Sequence, residues 1–97
     1  MYWKWIVPNG VDIIADGTRT LNNTLVIDLV VAININTGGY IKLQIDKEFL
    51  GNVDKFLILG DANRYLAVWN NNDGYRFSIP DSKVSDGYYY HGVVNLK

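Results

Sequence analysis

Cysteine is absent from this chain of 97 residues, which excludes a disulfide framework and a thiolate metal site. Histidine is nearly absent, because His91 is the only one, and this argues against a transition-metal site. The asparagine-rich stretch 70–74 lacks the closing acidic residue of a calcium loop. We therefore expect neither a metal ion nor a cofactor.

Clustered positive charge is also missing. Nine basic and ten acidic residues give a formal net charge of −1, and the basic residues are scattered singly along the chain. Non-specific binding to phosphates requires a concentrated positive field. The composition therefore predicts that the protein does not bind nucleic acid.

Long apolar runs are absent as well, and none reaches the roughly 18 residues that a membrane-spanning helix needs. Residues 1–8 carry one positive charge and a short apolar run ended by Pro8, which is not the pattern of a signal peptide. We expect a soluble protein without membrane insertion. The compartment in which it works is not indicated by the sequence.

Apolar residues that recur at every second position organise what is present. In residues 24–35 every odd position is apolar, and the same alternation returns in 41–45 after a turn signal at 37–39. These two strands are predicted to form a hairpin. A turn at Asn22-Asn23 should precede the first of them, and a single helical turn closed by Gly51 should follow the second.

The other predicted strands are short and lie close together in the sequence. They are 3–7, 11–14, 56–59, 64–70, 74–79 and 88–96. We expect 64–70 and 74–79 to form a second hairpin around residues 71–73.

About seven to eight such strands without a long helix are typical of an all-β protein. A hydrophobic content of 48% with 20% charged residues indicates one packed core. We therefore predict a single domain over residues 1–97, with the fold of an antiparallel β-sandwich, jelly-roll or Greek-key like.

The strand at 24–35 is unusual because its even face is also partly apolar. Val26, Val30 and Ala32 lie on that face, so a second sheet or a second subunit should cover it. We expect these three residues to form an interface in a homo-oligomer.

Aromatic residues are the one compositional excess, at 13% of the chain. Tryptophan and tyrosine rings stack on sugars and anchor protein interfaces, although they also favour strands, so about half should belong to the core. The candidates for ligand binding are Trp3, Trp5, Tyr65, Trp69, Tyr75, Tyr88, Tyr89 and Tyr90.

His91 is the one residue that suggests catalysis. A hydrolase would need a nucleophile beside it, and Ser78, Ser82 or Ser85 would have to supply it without a nucleophile-elbow pattern. Asp28 lies in the most apolar strand, and we expect it to face solvent as a solvated residue. The sequence therefore predicts no enzyme, with a small hydrolase as a remote alternative.

The cysteine-free, turn-rich pattern and the tyrosine-rich stretch 87–92 resemble small β modules of bacteriophage tail fibres and baseplates. The resemblance is one of style and matches no family motif. It implies a non-enzymatic, homo-oligomeric virion component that contacts a carbohydrate or other cell-surface receptor. The alternative is a free-standing, monomeric domain that binds carbohydrate or protein.

Overall fold

The computed structural model describes residues 3–35, 38–61, 63–80 and 84–97. These residues form nine strands and one helix of four residues. The elements are β1 (Trp3–Ile6), β2 (Val11–Asp16), β3 (Arg19–Leu21), β4 (Thr24–Ile33), β5 (Tyr40–Ile45), α1 (Lys47–Leu50), β6 (Val53–Leu59), β7 (Val68–Asn71), β8 (Gly74–Ser78) and β9 (Ser85–Leu96).

Two antiparallel sheets pack face to face, so the predicted all-β sandwich is confirmed. Sheet A has the strand order β1-β5-β8-β7. Sheet B has the order β2-β4-β9-β6, and β3 pairs with the other end of β4 beside β2. In the described part of the chain no helix is long and apolar enough to cross a membrane.

The core lies between the sheets and is built from the inward residues of strands whose side chains alternate between core and solvent. In β4 the five odd positions from Leu25 to Ile33 are fully buried, as the alternation predicts. The corresponding positions of β5 and β8 face them from sheet A. At the centre Phe77 contacts the rings of Trp5, Phe56 and Tyr90, with centroid distances of 6.1, 6.4 and 5.0 Å.

The predicted hairpin between β4 and β5 is wrong. On sheet B the neighbours of β4 are β2, β3 and β9, whereas β5 lies between β1 and β8 in sheet A. Both β4 and β5 have one buried face. The chain between them crosses from sheet B to sheet A, so that their buried faces meet across the core. The predicted turn at 37–39 lies partly outside the described residues.

Other elements also differ from the prediction, and β9 begins at Ser85 instead of residue 88. The stretch 64–67 is not part of a strand, because Tyr65 forms only an isolated bridge to Leu59 and β7 begins at Val68. β6 begins at Val53, three residues earlier than predicted. β3 is an additional strand that brings the described total to nine, one more than the upper prediction.

The predicted turns are largely confirmed. Asn22, with a positive φ of 53°, and Asn23 connect β3 to β4, and the helical turn α1 ends at Gly51. Strands β7 and β8 form the second predicted hairpin. Its first β8 residue, Gly74, has φ 150°, and a Cβ there would lie 2.0 Å from the Leu43 carbonyl oxygen.

We predict that Gly92→Ala destabilises the fold strongly. A Cβ at Gly92 would lie 2.6 Å from the carbonyl oxygen of Leu57 and 3.2 Å from Ile58, so β6 would have to move away from β9. A loss of more than about 2 kcal/mol in the free energy of unfolding is expected, measured by urea denaturation.

Gly87→Ala is the matched control in the same strand. Its Cβ would meet only Val30, at an ordinary contact distance of 3.7 Å. A change within about 0.5 kcal/mol is expected. Equal losses in the two variants would contradict the close approach of β6 to Gly92.

Candidate functional site

The outer face of sheet B, called face B below, combines apolar and polar side chains that the strand registers bring together. In β4 the outward residues include Val26, Val30 and Ala32, all half-buried. Val26 is opposite Val93 of β9, which in turn is opposite Leu57 of β6. The residues predicted to be an interface therefore belong to an apolar surface that crosses three strands.

A shallow depression lies at one side of face B. It has a volume of about 130 Å³, and its lining includes Leu57, Leu59, Tyr65, His91 and Val93. Tyr65 reaches it through the bridge between its backbone and that of Leu59. Tyr65 is 68% exposed, which makes it the most exposed large hydrophobic residue in the described chain.

Asp28 is the centre of a hydrogen-bonded cluster on face B. The register pairs it with His91, and Tyr89 lies opposite Val30 on the same face. The hydroxyl of Tyr89 donates to Asp28 Oδ1 at 2.5 Å, and His91 Nδ1 lies 2.7 Å from the same oxygen. Arg19 Nη1 is 3.9 Å from Oδ2. Asp28 faces outward as predicted, but the prediction of a merely solvated residue is wrong.

These contacts shift the pKa values of Asp28 and Tyr89. The hydrogen bond from Tyr89, followed by that from His91, lowers the pKa of Asp28 below its usual 3.8. The same bond to Asp28 raises the pKa of Tyr89, with a smaller contribution from burial. Asp28 is therefore a carboxylate at neutral pH, and the Nδ1–H of His91 donates to it.

The contact between Asp28 and His91 resembles the orienting half of a catalytic triad, and a hydrolase would also need a nucleophile beside His91. Ser78 lies in sheet A, opposite Tyr40. Ser85 is six residues from His91 along β9, which corresponds to about 20 Å. Ser82 lies outside the described residues. Neither described serine can act as a nucleophile for His91.

Metal binding finds no support in the described residues, among which no group of three His, Asp or Glu side chains could hold an ion. Asp28 Oδ1 is instead occupied by hydrogen bonds from Tyr89 and His91. The cluster is suited to fixing the orientation of Tyr89 and His91, whose rings stack with an interplanar angle of 8°.

The predicted aromatic candidates divide into core and surface. Tyr75 and Tyr90 are buried, and burial raises the pKa of both hydroxyl groups. Trp3, Trp5 and Tyr88 are partly buried and pack against the core. These five rings therefore serve mainly as packing groups. The candidates that remain exposed are Tyr65, Trp69 and Tyr89.

Trp69 lies on the outer face of sheet A, called face A below, apart from Tyr65 and Tyr89 on face B. There it is grouped with two residues that were not among the candidates, Tyr40 and Arg76. Their shared surface depends on the pairing of β5 with β8, which the sequence analysis did not predict. The signal available in the sequence was the alternation of polar with apolar residues within each strand. It places Tyr40, Lys42 and Gln44 on one side of β5. It likewise places Arg76 and Ser78 on one side of β8.

Comparison of the chain with models of protein families, with curated proteins and with solved structures found no match.

The lowered pKa of Asp28 predicts an acid-sensitive contribution to stability. Because the folded-state pKa is below that of the unfolded chain, the contribution is complete above about pH 5 and is lost as the pH falls through the folded-state value. The unfolding free energies of wild type and Asp28→Asn should therefore differ most near neutral pH and converge in acid.

Urea denaturation across this pH range measures the difference. Asp86→Asn is the control, since Asp86 is exposed in the same sheet and has no hydrogen bond from a described side chain. A gap between wild type and Asp28→Asn that stays constant with pH would contradict the assigned contacts.

Tyr89→Phe should raise the pKa of Asp28 toward its usual value, because the Tyr89 hydroxyl is the main cause of the lowering. An NMR titration of the Asp28 carboxyl carbon measures this directly. Tyr65→Phe, on the same face but without a bond to Asp28, should leave the titration unchanged. An unaltered Asp28 titration in Tyr89→Phe would disprove the hydrogen bond.

Proposed function

We propose that the protein is a non-enzymatic structural and binding module that associates with further copies of itself through face B. The observation that carries the proposal is the apolar surface formed by outward residues of β4, β9 and β6. Val26, Val30 and Val93 are its central members, and Leu57 and Leu59 extend it to the sheet edge. Monomeric proteins rarely leave a continuous apolar area of this kind open to water.

The size of face B is sufficient for association. Four strands spaced about 4.8 Å apart, with about nine residues each rising about 3.3 Å, present roughly 570 Å² per copy. Two such faces bury at most about 1,100 Å² together, which is close to the lower limit for a specific interface. We therefore expect reversible association and not an obligate assembly.

The charges of face B favour a second copy as the partner. Asp12 and Asp28 are balanced by Arg19 and Lys55, so two copies do not repel each other. The charge of Asp28 is already hydrogen-bonded within its own chain, which reduces the cost of covering it. Face A, in contrast, carries Lys4, Lys42 and Arg76 against Asp46 and Asp73, so its balance is positive and favours a second copy less.

A role as a component of a virion tail or fibre, which the sequence resemblance implies, is part of this proposal. Pairing of two copies through face B would supply one two-fold contact within such an assembly. Contact with carbohydrate also stays a prediction. The monomeric binding domain is the competing proposal.

Sedimentation equilibrium of the purified chain tests self-association. We predict a mass above that of the 11.0-kDa monomer at micromolar concentration, decreasing on dilution. Val30→Lys should give a monomer, because it introduces a charge between Ala15 and Tyr89 on face B. The new charge points away from the core, so circular dichroism and thermal unfolding should show a folded protein.

Asn71→Lys is the matched control, because it adds the same charge at an exposed strand position of face A. It should associate like the wild type. A monomeric wild type would overturn the proposal in favour of the free-standing domain. Association that survives Val30→Lys would move the interface away from face B.

A further inference from the structure

Face A carries an arginine between two aromatic rings. The guanidinium carbon of Arg76 in β8 lies 4.6 Å from the ring centroid of Tyr40 and 5.7 Å from that of Trp69. The two rings meet edge to face, with centroids 5.3 Å apart. Tyr40 comes from β5 and Trp69 from β7, so the strands on both sides of β8 hold the guanidinium in place. Both rings remain about two-fifths exposed, at 43% and 40%.

The positive charge of this cluster lacks a balancing carboxylate. Arg76 is directly opposite Lys42 in the β5–β8 register, and like charges in such a pair destabilise a sheet. Lys42 forms an ion pair with Asp73 at 2.8 Å, whereas Arg76 forms none with any described residue. Because Asp73 offsets the charge of Lys42, Arg76 is the cation of this pair that is left for an added anion.

The donor geometry of Arg76 limits how an anion can bind. Its Nε is buried and has no hydrogen-bond partner among the described residues. Neither of its terminal nitrogens is both buried and without a partner. The two terminal nitrogens are therefore the donors available to a ligand. Together they match the two oxygens of a carboxylate approaching end on.

A second depression lies farther along face A. Its volume is about 240 Å³, and it is lined by Trp3, Lys4, Gln44 and Asp46. Gln44 is two residues from Lys42 on the same side of β5, so the depression is about 7 Å from the Lys42–Arg76 pair. An extended ligand with repeated rings could contact both places.

We propose that face A binds a carboxylated saccharide, with the terminal nitrogens of Arg76 on the carboxylate and the sugar ring against the exposed face of Trp69. Tyr40 positions the guanidinium by cation–π contact, while the charge of Lys42 beside it is taken up by Asp73. The depression beside Lys4 and Gln44 receives the next sugar of a chain. This site is independent of self-association, because it lies on the opposite side of the sandwich from face B.

An NMR titration of the isotope-labelled protein with three probes tests the proposal. The probes are methyl glucuronide, methyl glucoside and sodium acetate, so that the sugar ring and the carboxylate are each tested alone. We expect methyl glucuronide to bind with a roughly millimolar dissociation constant and to shift the Trp69 indole signal. The other two should bind at least tenfold more weakly, and added salt should weaken methyl glucuronide.

Variants locate the site. Arg76→Lys keeps the charge but loses the paired donors, and Trp69→Phe keeps an aromatic ring of smaller area, so both should weaken methyl glucuronide severalfold while the protein stays folded. Trp69→Ala should abolish measurable binding. The control is Lys55→Gln, which removes a cation from face B and should leave the titration unchanged.

Each alternative outcome overturns a defined part of the proposal. Equal binding of methyl glucoside would show that the carboxylate is not recognised, and equal binding of acetate would show that the sugar ring is not. Shifts confined to residues outside face A, or none at all, would refute the site. None of these results would alter the sedimentation result, so the two proposals fail separately.

Discussion

The antiparallel pairing of β4 with β9 is the interaction on which the rest of the molecule depends. These are the two longest strands, and their register runs from Thr24 opposite Asn95 to Ile33 opposite Ser85. Leu29 beside Tyr90 faces the core, and Asp28 beside His91 faces outward. A shift of one residue would exchange the two faces, placing the carboxylate in the core and the apolar residues in water. The register therefore determines the core and face B together.

The two outer faces differ because the core constrains only the inward residues. On face B aliphatic side chains cross the middle of the sheet, and the carboxylate–histidine pair among them is hydrogen-bonded internally. On face A they are cationic and aromatic, with Arg76 stacked on Tyr40 and Trp69. Burial of face B between copies would leave face A open on each of them. Association and ligand binding are thus compatible in one small sandwich.

The strand alternation was sufficient to predict the sandwich but not the sheet to which each strand belongs. The odd residues of β4 and β5 are equally well buried whether the strands pair or face each other across the core, and the second arrangement is the one present. β3 gave no signal, because all three of its residues are exposed. The apolar face of β4 made that strand predictable. The formation of β3 depends instead on the turn that follows it and on its pairing with β4.

The site residues that the sequence analysis missed depend on pairing between distant strands. Asp28 obtains its partners from β9, far along the chain, so its local sequence resembles that of any outward carboxylate. Arg76 meets Tyr40 only because β8 pairs with β5. Val26, Val30 and Ala32 could be placed on an outward face because that inference needed only the alternation within β4.

The central claim is that face B is covered by a second copy, and a dilution series followed by amide NMR tests it most directly. As the protein is diluted from high to low micromolar concentration, the account predicts shift changes at outward residues of β4, β9 and β6. The signals of Tyr40, Trp69 and Arg76 should stay constant. Changes confined to face A, or a spectrum that does not depend on concentration, would contradict the account.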